Sequence, residues 1–143
     1  MAGRASRGVP GASRLPSRSL KIPPLGLAVA INHAVREDDE WFDEPDDLER
    51  VARALATIDG LDDPVAAAGI VAFRVARAQG FAEGNKRTAL LLARWVLDHN
   101  GGDGARLLPP DDREFAVLLG AAASGSDVEG KIVALLSERF RSR

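Results

Sequence analysis

From Leu25 onward the large apolar residues recur every three or four positions, and no stretch alternates with period two. That spacing gathers them on one face of a helix and on no face of a strand. Leu48, Val51, Ala52 and Leu55 form an i, i+3, i+4, i+7 stripe with Glu49, Arg50 and Arg53 opposite, and Asp46 or Asp47 is placed to cap it. Residues 64 to 79 are Ala-rich, with Ile70 and Phe73 expected inward and Arg74 and Arg77 outward; such small side chains predict close approach by neighbouring helices. The run NKRTALLLARWVLDHN, from Asn85, carries Leu91, Leu92, Trp95 and Val96 and stops at Gly101 and Gly102. PPDD at 109 to 112 starts a helix bearing Phe115, Leu118, Leu119 and Ala122. After the SGSD linker, a last helix begins near Asp127, with Val128, Ile132, Leu135 and Leu136 on one face. With a first helix over 25 to 36, and neither an internal repeat nor a heptad array, the chain reads as an all-α bundle of six helices around a central one at about 85 to 100.

The 143 residues are 45% hydrophobic and 28% charged, enough for one core, so one domain is expected over 25 to 143. Residues 1 to 24 differ in kind. Rich in Gly, Ser, Pro and Arg, they carry a charge of +5 against −7 for the remainder, and they lack the apolar surface that would offset ordering entropy; a disordered basic leader is expected. Residues 37 to 49 hold nine acids and no base, which predicts a solvated loop, with Trp41 and Phe42 packed back on the core rather than offered to a partner. DGLDDP at 59 to 64 has the chemistry of a loop. Cysteine is absent, which excludes a disulfide framework, a thiolate metal site and a thiol nucleophile, while His33 and His99 are too far apart in the chain to suggest zinc. No apolar run reaches the roughly 18 residues of a membrane span. LGLAVAI after the basic leader imitates a signal peptide, but the leader is long and the run short, so a cytoplasmic protein is expected.

The chemistry concentrates at residues 79 to 88, QGFAEGNKRT, where a Gly-containing loop feeds a helix whose first turn is basic. A helix N-terminus carries about half a positive charge, so Lys86 and Arg87 there are unfavourable unless an anion lies beside them. Gly84 lets a ligand approach the backbone, and Asn85 either caps the helix or binds an oxyanion. Only Lys21, Lys86 and Lys131 of the 19 cations are lysines, so Lys86 stands out in an arginine-rich chain. The plainer alternative is a surface helix that happens to begin with two cations.

GFAEGNKRTAL resembles the signature of the Fic/Doc (Fido) family, HxFx(D/E)GN(K/R), and its NKRT ending is most similar to the Doc, or death-on-curing, branch; the likeness covers about residues 25 to 141. The resemblance implies a Fido-type helical bundle with a short flap, at 59 to 64, aligning a target segment. It implies that Phe81 anchors the loop in the core, that Glu83 holds a magnesium ion bridging nucleotide phosphates, and that Gly84 and Asn85 form an anion-binding turn. Lys86 and Arg87 would neutralise phosphate charge. The Fic branch has a further Arg two positions beyond Arg87; that position is Ala89 here, and Arg87 is the implied substitute. The implied protein is the toxin of a bacterial toxin-antitoxin pair, moving a phosphoryl or adenylyl group from ATP to a Ser, Thr or Tyr hydroxyl of a target protein. Its implied partner is a cognate antitoxin, since no (S/T)xxxE(G/N) inhibitory motif precedes residue 79.

One position departs from the signature: Gln79 stands where the family has its catalytic His. An amide orients a hydroxyl but does not accept its proton, and general-base help is typically worth about 100-fold to 10,000-fold. Phosphoryl transfer leans more on alignment and charge neutralisation, because its transition state is loose. His99 lies roughly 21 Å down the same helix and is excluded as a substitute base. His33 belongs to an earlier helix, where a lone His is more often structural, and a Glu83 that holds metal is a poor base. Three readings stay open: an ATP-dependent transferase, an inactive relative that binds nucleotide or a protein partner, and a helical interaction module with a basic turn.

Overall fold

The structure, a computed structural model, describes residues 19–36 and 45–142; most of the expected leader, and Trp41 and Phe42, lie outside the described residues. Those residues form seven helices and no strand: α1 (Leu25–Val35), α2 (Leu48–Ala56), α3 (Pro64–Ala78), α4 (Asn85–His99), α5 (Gly104–Leu107), α6 (Arg113–Ala123) and α7 (Glu129–Arg141). The fold is all-α, a helical bundle. The seventh element, α5, is a single turn too short to show periodicity, and it fits under α4 only because residue 104 is Gly. A Cβ there would stand 2.7 Å from the Arg94 carbonyl oxygen.

The centre is shared by two helices rather than held by α4 alone. α3 buries nine of its fifteen residues and packs on α2, α4, α6 and α7, while α4 packs on α1, α3, α5 and α6. Small residues make this possible: Ala67, Ala68, Ala72 and Ala76 are fully buried, and a Cβ on Gly69 would meet Val133 Cγ2 of α7 at 2.9 Å. Phe115, Leu119, Ala122, Ile132 and Leu136 are buried as their stripes predict. In α2 the buried face is Val51, Ala54 and Leu55, with Leu48, the first helical residue, left 38% exposed.

Aspartates fix where four helices begin. Asp47, Asp63, Asp103 and Asp112 each accept a hydrogen bond from a first-turn amide of α2, α3, α5 and α6. Of the two candidate caps of α2, Asp47 is the one used. Asp63 thereby puts the 59–63 loop at the N-terminal end of α3, whereas residue 79 follows its C-terminal end. Fifteen residues at 1.5 Å each separate the two by roughly 22 Å, so the loop expected to act as a flap does not adjoin the 79–84 turn. Residues 45–47 do: Asp47 N–H donates to the Gly80 carbonyl at 2.6 Å and Asp46 Oδ1 accepts from Ala82 N–H at 2.8 Å. At the far end of α4, Asn100 exchanges hydrogen bonds with the backbone of Lys21, and Leu20 and Ile22 pack on the core. Among the described residues no helix is long and apolar enough to cross a membrane.

Candidate functional site

The turn between α3 and α4 is built from two left-handed residues. Gln79, the C-cap of α3, has φ 49, and Gly84, the N-cap of α4, has φ 79. Only glycine adopts that geometry without strain, so Gln79 is held there by its surroundings. Its side-chain amide donates to the Ala123 carbonyl of α6 at 2.7 Å, which leaves the side-chain oxygen for a ligand. Gly80 has Val51 and the Asp47 carbonyl against its α-carbon, with no room for a Cβ. Phe81 is 2% exposed and seats the turn in the core, in the place expected for an anchor.

Asn85 closes the turn on itself. Its side-chain oxygen accepts from Phe81 N–H at 3.0 Å and its amide donates to the Phe81 carbonyl at 2.8 Å. The side chain expected to cap α4 or hold an oxyanion is thus tied into the loop, and what Asn85 has left for a phosphate is its backbone N–H and the second hydrogen of its side-chain amide. Unlike the four helices begun by aspartate, α4 has Gly84 as N-cap and no side-chain cap. The amides of Asn85 and Lys86 therefore have no hydrogen-bond partner among the described residues, beside the positive end of the helix.

The two cations differ. Lys86 is exposed and has no ion pair or hydrogen bond among the described residues, whereas half-buried Arg87 donates to the Val35 carbonyl at the end of α1. Both line a cavity of about 530 Å³ between α4 and the start of α6, floored by Leu90, Phe115 and Leu119. The opposite wall is fixed by Asp112, which caps α6 and takes a bidentate grip from Arg139 of α7. That guanidinium holds the Asp112 carboxyl below the ordinary carboxylate range, against the opposing effect of burial. A cavity with cations and bare amides at one edge and apolar side chains beneath suits an anion carrying a flat or apolar group.

Glu83 is half-buried, and its carboxylate has no partner among the described residues. No group of three or more His, Asp or Glu among them is placed to hold a metal ion. Magnesium that arrives with a nucleotide needs only one or two protein carboxylates beside phosphate and water, and Glu83 next to open amides fits that demand. Histidine offers nothing equivalent here. His99 stacks on Trp95 with ring centroids 4.1 Å apart near the opposite end of α4, and His33 is exposed on α1.

Three residues at this site are absent from any motif. Asn32, fully buried in α1, donates from Nδ2 to the Glu83 carbonyl at 2.8 Å and to Thr88 Oγ1 at 3.2 Å. Arg36 donates to Asn32 Oδ1 at 3.3 Å and pairs with Asp46 at 3.6 Å. The one signal in the sequence was an Asn four residues before an Arg, in a helix whose other residues are apolar apart from His33.

A family model described as Fic/DOC family matches residues 18–97. No curated protein matches the chain. No solved structure matches it either.

Proposed function

The chain belongs to the Fic/DOC family, and from that premise we propose that it is a Doc-like toxin that transfers a phosphoryl or adenylyl group from ATP to a protein hydroxyl. The observation carrying this reading is the start of α4: uncapped, preceded by left-handed Gly84, with exposed Lys86 at the mouth of a 530 Å³ cavity. A triphosphate supplies the negative charge that this arrangement lacks. Lys86 and the amides of Asn85 and Lys86 bind its oxygens, Arg87 adds charge from the same edge, and Phe81 keeps the turn from shifting. Magnesium, when bound, is held by Glu83 and offsets the charge that develops on the phosphates. Gln79 orients the attacking hydroxyl with its free side-chain oxygen. The hydroxyl loses its proton late, to water or a phosphate oxygen, as a loose transition state permits. A cognate antitoxin and a target protein with a Ser, Thr or Tyr hydroxyl are the partners this role requires, and cytoplasm the compartment.

The Gln79 to Ala123 hydrogen bond favours a second reading, in which the site binds nucleotide without turning it over. Incubation with a cell lysate and ATP, labelled at the γ or the α phosphate in separate reactions, decides between them. Label appearing on a protein supports transfer and names the group moved; silence with both labels leaves only binding. Under the transferase reading Gln79→His restores a base and raises the rate by about 100-fold or more. An unchanged or lower rate contradicts the proposed role of residue 79.

A further inference from the structure

The peptide groups on either side of Glu83 are held from outside the loop. Asp46 takes the N–H of Ala82 at 2.8 Å, and Asn32 donates to the carbonyl of Glu83 itself at 2.8 Å. Both holders meet at Arg36, whose Nη1 lies 3.3 Å from Asn32 Oδ1 and 3.6 Å from Asp46 Oδ1. The Arg36 side chain is 3% exposed and that of Asp46 20%. A buried ion pair of this kind contributes little net stability, because desolvation offsets its attraction. Its hydrogen bonds do not simply join α1 to the 45–47 segment; they converge on the backbone flanking a carboxylate that has no partner among the described residues. Asn32 also lies directly beneath Gly84, where a Cβ would come within 3.0 Å of Nδ2.

We propose that Asn32, Arg36 and Asp46 are positioning residues that fix the backbone around Glu83 and so set the affinity of the site for a metal-bound nucleoside triphosphate; this rests on the phosphate-binding reading given above. Asn32 sets the direction of the Glu83 carbonyl, with Thr88 Oγ1 as its second acceptor on a turn of α4 that its own Thr88 N–H to Gly84 carbonyl bond already closes. Asp46 sets the Ala82 amide, and Arg36 keeps both holders in register. None of the three touches the ligand. Their effect therefore falls on the interaction that Glu83 makes, and spares those of Lys86 and the α4 amides.

Calorimetry on the full chain, with ATP in the presence and absence of magnesium, separates this from a purely structural role. Asn32→Asp keeps the shape and loses the donor; it should weaken binding of ATP with magnesium roughly 10-fold to 100-fold, the range seen when supports of a metal ligand are removed. Binding of ATP alone should change by no more than about twofold, since its contacts are untouched. Asp46→Ala should behave likewise, and Asp46→Asn, which keeps an oxygen for Ala82, should recover most of the loss. Hydrogen exchange on the nucleotide-free protein should show the hydrogen-bonded amides of Phe81 and Ala82 exchanging about tenfold faster in Asn32→Asp, with α7 unchanged. Equal losses with and without magnesium, or unchanged exchange at Phe81 and Ala82, overturn the proposal while leaving the functional reading intact. Failure of the unaltered chain to bind ATP with magnesium overturns both. If Asn32→Asp does not fold, the comparison of Asp46→Ala with Asp46→Asn decides alone, with equal affinities counting against the proposal.

Discussion

At Gly84 the backbone takes φ 79, and an added Cβ would stand 3.0 Å from Asn32 Nδ2. Gly84→Ala therefore combines left-handed strain of about 1–2 kcal/mol with displacement of the side chain that holds Glu83. Denaturant unfolding should show a loss of that size, and calorimetry a loss of ATP affinity larger than the stability change implies. Asp112 gives a prediction of a different kind. Its folded-state pKa lies below its unfolded value because Arg139 donates to the charged form, so its contribution to stability is complete above about pH 4 and is lost as pH falls through the lower, folded value. Unfolding followed from pH 5 downward should show a steeper acid limb for the unaltered chain than for Asp112→Asn; parallel limbs would contradict the assignment. Phe81, Glu83, Gly84, Lys86 and Arg87, the residues of the proposed site, could be singled out in the sequence because they are adjacent and their chemistry is local. Asn32 and Asp46 were not, since they act across 51 and 36 residues of chain and only the folded bundle brings them to the loop.

The helices with long apolar stripes announced themselves, because a 3.6-residue period survives whatever the tertiary context. What periodicity left open was rotation and placement. The α2 stripe turns so that Ala54, not Leu48, is buried, and α3 shares the centre expected for α4 alone because its alanines admit neighbours on several sides. The contact of α3 with α7 gives a test at this scale. In Gly69→Ala the new methyl would meet Val133 Cγ2 at 2.9 Å and its Cα at 3.1 Å, so α7 must move outward. Overpacking of about 1–3 kcal/mol outweighs the gain of roughly 1 kcal/mol in helix propensity. Thermal unfolding should show a net loss of about 1 kcal/mol, and equal or higher stability would mean that α7 yields easily. The 59–63 loop shows the limit of placement by sequence order: adjacent to the motif helix in the chain, it lies a full helix length from the turn.

Across the whole molecule, α1, residues 45–47 and the start of α6 converge on the beginning of α4, although the chain visits them as much as 84 residues apart, from Asn32 to Ala116. The consequence is a floor under a site whose lining carries two exposed cations, Lys86 and Arg113, neither with an ion pair among the described residues. Lys86→Ala removes charge without disturbing packing, so its unfolding midpoint should match that of the unaltered chain. The most direct test is calorimetric titration of both proteins with ATP and magnesium. Saturable binding to the unaltered chain, weakened at least about tenfold in Lys86→Ala as expected for a lost charge-assisted contact, is the predicted result. No binding to the unaltered chain, or equal affinity in the two, would contradict a triphosphate site at the start of α4.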